Sequence, residues 1–173
     1  NGKADTTFGT NGTLSLSLLS QSDYANVSAA PSYTIANDGS ILIAFTKSTT
    51  QIGVYKYTSA GVLDTNFDGD GKAFVTLTSS SAPRVSKVLF GSDNNLYVSV
   101  ITRDSSYCYQ YSVIKVKASG QVDTAYNVNV TENAYSPTNY YDVVLDNQGR
   151  LILILGSKVY RYNADGTASL SPI

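Results

Sequence analysis

Apolar and β-branched residues fall along this chain in short runs of four to six, each fenced by a turn-forming cluster such as Asn37-Asp38-Gly39, Asp93-Asn94-Asn95, Asn147-Gln148-Gly149 or Ala164-Asp165-Gly166. Runs of that length between Asn, Asp and Gly clusters predict strands joined by tight turns. Helical spacing of apolar positions appears nowhere. In the first full unit the pattern predicts an inner strand near 33–35, a second near 41–45, a third near 52–58 and a fourth near 73–77, a four-stranded meander. The second strands, 41–45, 96–100 and 151–155, are apolar at nearly every position, as expected where both faces of a sheet are covered by neighbours.

The pattern is also periodic, and the period organises the whole chain. Gly2-Lys3-Ala4-Asp5-Thr6-Thr7-Phe8 recurs as Gly61-Val62-Leu63-Asp64-Thr65-Asn66-Phe67, and again as Gly120-Gln121-Val122-Asp123-Thr124-Ala125-Tyr126. A second block, 35–43, returns at 90–98 and at 145–153. A third block, Val54-Tyr55-Lys56-Tyr57, matches Val113-Ile114-Lys115-Val116 and Val159-Tyr160-Arg161-Tyr162. Three blocks in fixed order predict one repeat domain over 1–173, with units of about 1–60, 61–119 and 120–173. The fold class expected is all-β: a β-propeller-like array of about three four-stranded antiparallel blades. The connection between second and third strands is longest in the middle unit, around Arg103 to Tyr109, so the rim there is the first place to look for binding.

Composition narrows the function classes. Twelve basic residues against thirteen acidic give a net charge of −1, which does not support electrostatic capture of nucleic acid. The longest apolar stretch, 151–155, is far short of the roughly 20 residues of a membrane helix. Sparse charge, abundant Asn, Ser, Thr and Tyr, and no Met favour an exported bacterial surface protein over a cytosolic one. The lack of an initiator Met and of any signal-like segment reads as a mature or excised piece. Cys108 is the only cysteine, too few for an internal disulfide or a thiolate metal cluster.

The repeated blocks resemble the delta-sixty repeat family of bacterial repeats, with looser similarity to NHL-type propeller repeats. The likeness is most faithful at 37–44, 56–67 and 160–166 and poorest after Tyr126, where the Gly-rich turn has become Asn127-Val128-Asn129-Val130. The resemblance implies a propeller and an exported habit; it brings no catalytic residues. Closed propellers generally need four or more blades, and three are legible here. The chain opens with a fourth-strand segment, 14–18, and its last recognisable strand is a third one. Three outcomes follow: a piece of a longer protein, strand exchange between chains giving a dimer or head-to-tail filament, or a stacked sheet that is no propeller.

Without histidine the chain cannot host a Ser-His-Asp or Cys-His nucleophile pair or a His-ligated metal, and no enzyme is expected. An acid-pair glycosidase is formally open, but Asp5, Asp64 and Asp123 recur at one repeat position, which argues for turn stabilisation in every unit. Asp64, Asn66, Asp68 and Asp70 alternate around glycines as calcium ligands do, although position twelve of such a loop is Val75; calcium is a weak candidate, and a turn role for these residues is the alternative. Tyr107, Tyr109 and Tyr111 share a strand face and Tyr140 and Tyr141 add two more, a stripe suited to a protein interface, with glycan binding second. Lys56, Lys115 and Arg161 hold one register position and are expected to pair with the recurring acids. The reading from sequence is a non-catalytic structural or interaction scaffold, its partner another protein or itself; the alternative is a glycan-binding or calcium-dependent module.

Overall fold

The computed structural model describes residues 2–16, 30–78, 83–104, 106, 108–132 and 141–169. Among these there is no helix, and so none long and apolar enough to cross a membrane. Eleven strands form three antiparallel sheets. The first holds β1 (Ser32–Ile35), β2 (Ile41–Thr46), β3 (Gln51–Tyr57) and β4 (Lys72–Thr76); the second holds β5 (Arg84–Phe90), β6 (Leu96–Arg103), β7 (Tyr109–Val116) and β8 (Val128–Glu132). The third holds β9 (Tyr141–Leu145), β10 (Leu151–Leu155) and β11 (Lys158–Tyr162). Every sheet is a meander, each strand paired with its neighbour in sequence.

Local chemistry explains the meander. Between first and second strands the turn residue takes positive φ, at Gly39 (80°), Asn94 (60°) and Gly149 (73°), a region that Gly and Asn enter at least cost. Matching main-chain bonds close the three turns, from Ala36 N to Ser40 O, Gly91 N to Asn95 O and Asp146 N to Arg150 O, at 2.9, 2.9 and 3.0 Å. Beyond the third strand the chain folds back in one way three times, through the bridges Tyr57 to Leu63, Val116 to Val122 and Tyr162 to Ala168. The expected strand positions are therefore met to within a residue or two.

Two apolar layers hold the sheets together. Leu42, Ala44, Val54, Ala73 and Val75 of the first sheet meet Val85, Val88, Val98 and Val100 of the second. On the opposite face of the second sheet, Tyr97, Tyr111, Val113 and Val128 meet Val143, Leu151, Leu153 and Leu155 of the third. Each such Val or Leu side chain, fully buried, is worth about 1.5–3 kcal/mol relative to exposure. The first strands come together across the layers, β1 against β5 and β5 against β9. The middle sheet is thus covered on both faces, and β6 is buried from Leu96 to Thr102.

The expectation that all second strands are covered on both faces needs correction at β10. There Leu151, Leu153 and Leu155 are buried, while Ile152 is half-buried and Ile154 is exposed. One face of the third sheet has no neighbour among the described residues.

Candidate interaction surfaces

The acidic residues belong mostly to turns. The side chain of Asp64 accepts the backbone N–H of Asn66 at 3.1 Å, Asp70 that of Lys72 at 2.9 Å, Asp93 that of Asn95 at 3.2 Å and Asp165 that of Thr167 at 2.9 Å. Such bonds two residues ahead are the Asx turn, for which Asp is selected locally. Asp5 repeats it with Thr7, and the bonds from Thr7 hold its carboxyl below the ordinary carboxylate range. The calcium-like spacing of Asp64, Asn66, Asp68 and Asp70 arises in the same way. Asp64 is held at 2.8 Å by Lys56, whose hydrogen bond lowers its pKa; Asp68 sits at φ 51° and accepts from the Gln121 side chain. Among the described residues no three His, Cys, Asp or Glu side chains form a group able to hold a metal ion.

Asp68 marks a junction between sheets. Its N–H donates to Ser119 O at 2.8 Å, in the turn that follows the third strand of the next sheet. The same step occurs one unit earlier, where Gly9 N donates to Ala60 O at 2.9 Å. One unit later Tyr126 and Asn127 lie against Gly166. Each Asp-x-x-(Phe/Tyr) segment therefore leaves one sheet and docks on the turn of its successor, and 2–13 docks on the first sheet in just that manner.

The predicted charge ladder is kept only in part. Lys56 pairs with Asp64, but Lys115 turns to Asp93 at 2.9 Å, and Arg161 reaches Ser169, which stands where the other units have Asp. The main chain preserves what the side chains do not: Asp64 N, Asp123 N and Ser169 N donate to Lys56 O, Lys115 O and Arg161 O at 2.9, 2.8 and 2.9 Å.

Asp93 is the most heavily bonded carboxylate of this surface. Burial works against its charge, but Asn95, Lys115 and the Tyr97 hydroxyl together outweigh burial and bring its pKa down to about 2. Burial first, and then the bond to Asp93, pushes the Tyr97 hydroxyl up. With a folded pKa below the unfolded value of about 4, the charged carboxylate stabilises the fold fully above about pH 4. That contribution is lost as pH falls through about 2. The Asp93 side chain is 40% exposed, so solvent screening reduces the effect to about 1 kcal/mol. Asp93→Asn is expected to lower stability by about that amount at pH 7 and to flatten the loss between pH 4 and 2, read from urea midpoints across pH.

The tyrosine stripe lies deeper than a surface patch. Tyr109 and Tyr111 are buried in the layer between the second and third sheets, and Tyr141 stacks on Tyr111 with ring centroids 4.9 Å apart. The Tyr141 hydroxyl bonds Ser99, and burial pushes its pKa up to about 12. Tyr109 carries the Arg103 guanidinium over its ring at 4.4 Å. These rings pack sheet against sheet. Tyr107 and Tyr140 lie outside the described residues.

Exposed apolar side chains gather elsewhere. On the first sheet, Tyr33 and Ile35 are 71% and 63% exposed and Phe74 is exposed beside them. On the third sheet, Val144 and Ile154 are exposed on the face turned away from the second. Sequence reasoning passed over all five, although Tyr33 and Ile35 stand at repeat positions that are apolar in every unit. Between the first two sheets a cleft of about 310 Å³ opens at the turn rim, with Asp38, Lys56, Asn94 and Lys117 at its mouth and Leu42, Phe67 and Leu96 beneath. Comparison with protein-family models finds no match, and comparison with curated proteins finds none similar to this chain.

Proposed function

We propose that the chain is a propeller-type repeat module, of the delta-sixty kind, in an exported bacterial surface protein, and that it serves as a non-catalytic structural or interaction scaffold. The carrying observation is the recurrence of one junction, in which the segment after each third strand docks on the turn of the next sheet. Sheets related by one repeated junction, and converging on their first strands, have the relation of blades around an axis. The scaffold role is supported by the use of the aspartates as turn locks. Sparse charge and the absence of Met favour export.

A glycan-binding or calcium-dependent module is the second reading, favoured by the cleft between the first two sheets. Thermal melting separates the two. A calcium site filled at a hundred times its Kd would add about 2.7 kcal/mol to the folded state. The scaffold reading expects an unchanged Tm with calcium and no retention on a glycan array. A calcium-induced rise of several degrees, or selective glycan retention, would replace it.

A further inference from the structure

The two internal layers fix what each face of a sheet is built to meet. The face that the second sheet turns toward the first carries Leu96, Val98, Val100, Ile114 and Val116; the third sheet turns Leu151, Leu153, Leu155, Tyr160 and Tyr162 toward the second. The equivalent residues of the first sheet, by repeat position, are Ile41, Ile43, Phe45, Tyr55 and Tyr57, and they face away from the second sheet. Beside them Tyr33 and Ile35 are exposed. The equivalents of Tyr33, Val88 and Val143, are 4% and 1% exposed within the layers. This outer face is therefore an inter-sheet face without its preceding sheet.

The complementary face lies at the other side of the same molecule. Leu42, Ala44 and Val54 of the first sheet face the second, and Tyr97, Ser99 and Val113 of the second face the third. Their equivalents in the third sheet are Ile152, Ile154 and Val159, on the side with no neighbour among the described residues. In this chain the two faces are not brought together: Ile35 and Ile154 are both exposed.

A strand is also displaced between them. Leu14 packs with the cluster of Ile43, Phe45, Tyr55 and Tyr57, the place that Ala73 takes in the first layer and Val128 in the second. Ala73 and Val128 belong to fourth strands, paired with Val54 and Val113 of the third strands. Leu14 has no such strand beside it among the described residues, and β11, with Val159 at the Val54 position, is an edge strand of a three-stranded sheet.

We infer that a second copy of this chain supplies what each face lacks: the segment from Thr13 onward of one copy adds as fourth strand to β11 of another, and the outer face of that third sheet stacks on Tyr33, Ile35 and Ile43 of the first copy. The contact is heterologous, one face meeting a different one, so it propagates or closes into a ring of copies. Transposing the β3 to β4 register sets Leu14 opposite Val159 and Ser15 opposite Lys158. The inference rests on the propeller-type reading of the repeats.

Two singly substituted chains test it, Ser15→Cys and Lys158→Cys, each with Cys108→Ser. Facing positions of an antiparallel pair lie within reach of a disulfide. Mixed under mild oxidation, the two chains are expected to form a crosslinked species of twice the 18.5 kDa chain mass, while either chain alone stays uncrosslinked. Absence of the mixed species, or equal crosslinking of each chain alone, overturns the inference. Light scattering of the unsubstituted chain reads the same question without cysteines: masses that are multiples of the chain and fall on dilution are expected, and a single-chain mass at all concentrations refutes it. A monomer that melts cooperatively and ignores calcium would end the exchange model while leaving the scaffold reading standing.

Discussion

Leu153→Ala lowers the unfolding free energy by about 2–5 kcal/mol. Leu153 is fully buried, flanked across the sheet by Val143 and Tyr160, and aimed at the second sheet. Removing its side chain loses both the transfer free energy of the methyl-bearing atoms and the contacts around the cavity left behind, because neighbours fixed in two sheets cannot collapse into it. At about 2–4 °C per kcal/mol for a chain of this length, Tm falls by roughly 5–15 °C. Ile154→Ala, one residue on and facing the other way, is the matched control: in dilute solution, where chains are separate, it costs less than about 1 kcal/mol. Equal losses at the two positions would mean that the third sheet does not pack by the face described.

Gly120→Ala is the second large effect, expected at about 3–5 kcal/mol in the same measurement. Gly120 holds φ at 94°, and a Cβ there would stand 2.7 Å from the main-chain N of Asp68. The contact is with backbone, so no side chain can swing away. The substitution combines left-handed strain of about 1–2 kcal/mol, overpacking of about 1–3 kcal/mol and weakening of the Asp68 N–H bond to Ser119. Gly69→Ala isolates the first contribution, since Gly69 has φ 86° and open space around it, and should cost only about 1–2 kcal/mol. If the two alanines proved equally costly, the junction would be contributing nothing to the stacking of sheets.

Much of the fold was legible because its signals are local. Asn37-Asp38-Gly39 and its counterparts specify turns through φ and Asx bonding, which depend on nothing distant, and strands between them need only apolar runs. What failed to show are matters of surroundings. The residues of β10 are as apolar as those of β6, since composition states what a strand tolerates against it and cannot tell whether a neighbour is there. The alternate acids from Asp64 to Asp70 look like a cation loop because successive Asx turns demand the same alternation. Lys115 chose Asp93 over Asp123 through side-chain reach, which spacing along the chain does not encode. The stripe of Tyr109 and Tyr111 was readable as one face, but its direction, inward against Tyr141, is a property of the assembled layers.

The closed hydrogen bonding of each turn has a consequence for how such a chain grows. An aspartate that bonds the N–H two residues ahead, and a junction bond made only to the adjoining sheet, leave no long-range polar partner to be orphaned when genetic material is copied in tandem. A duplication of one 59-residue period carries with it both halves of every contact it must make. Recombination can therefore lengthen or shorten the array by whole units, and selection acts afterwards only on the two outermost faces.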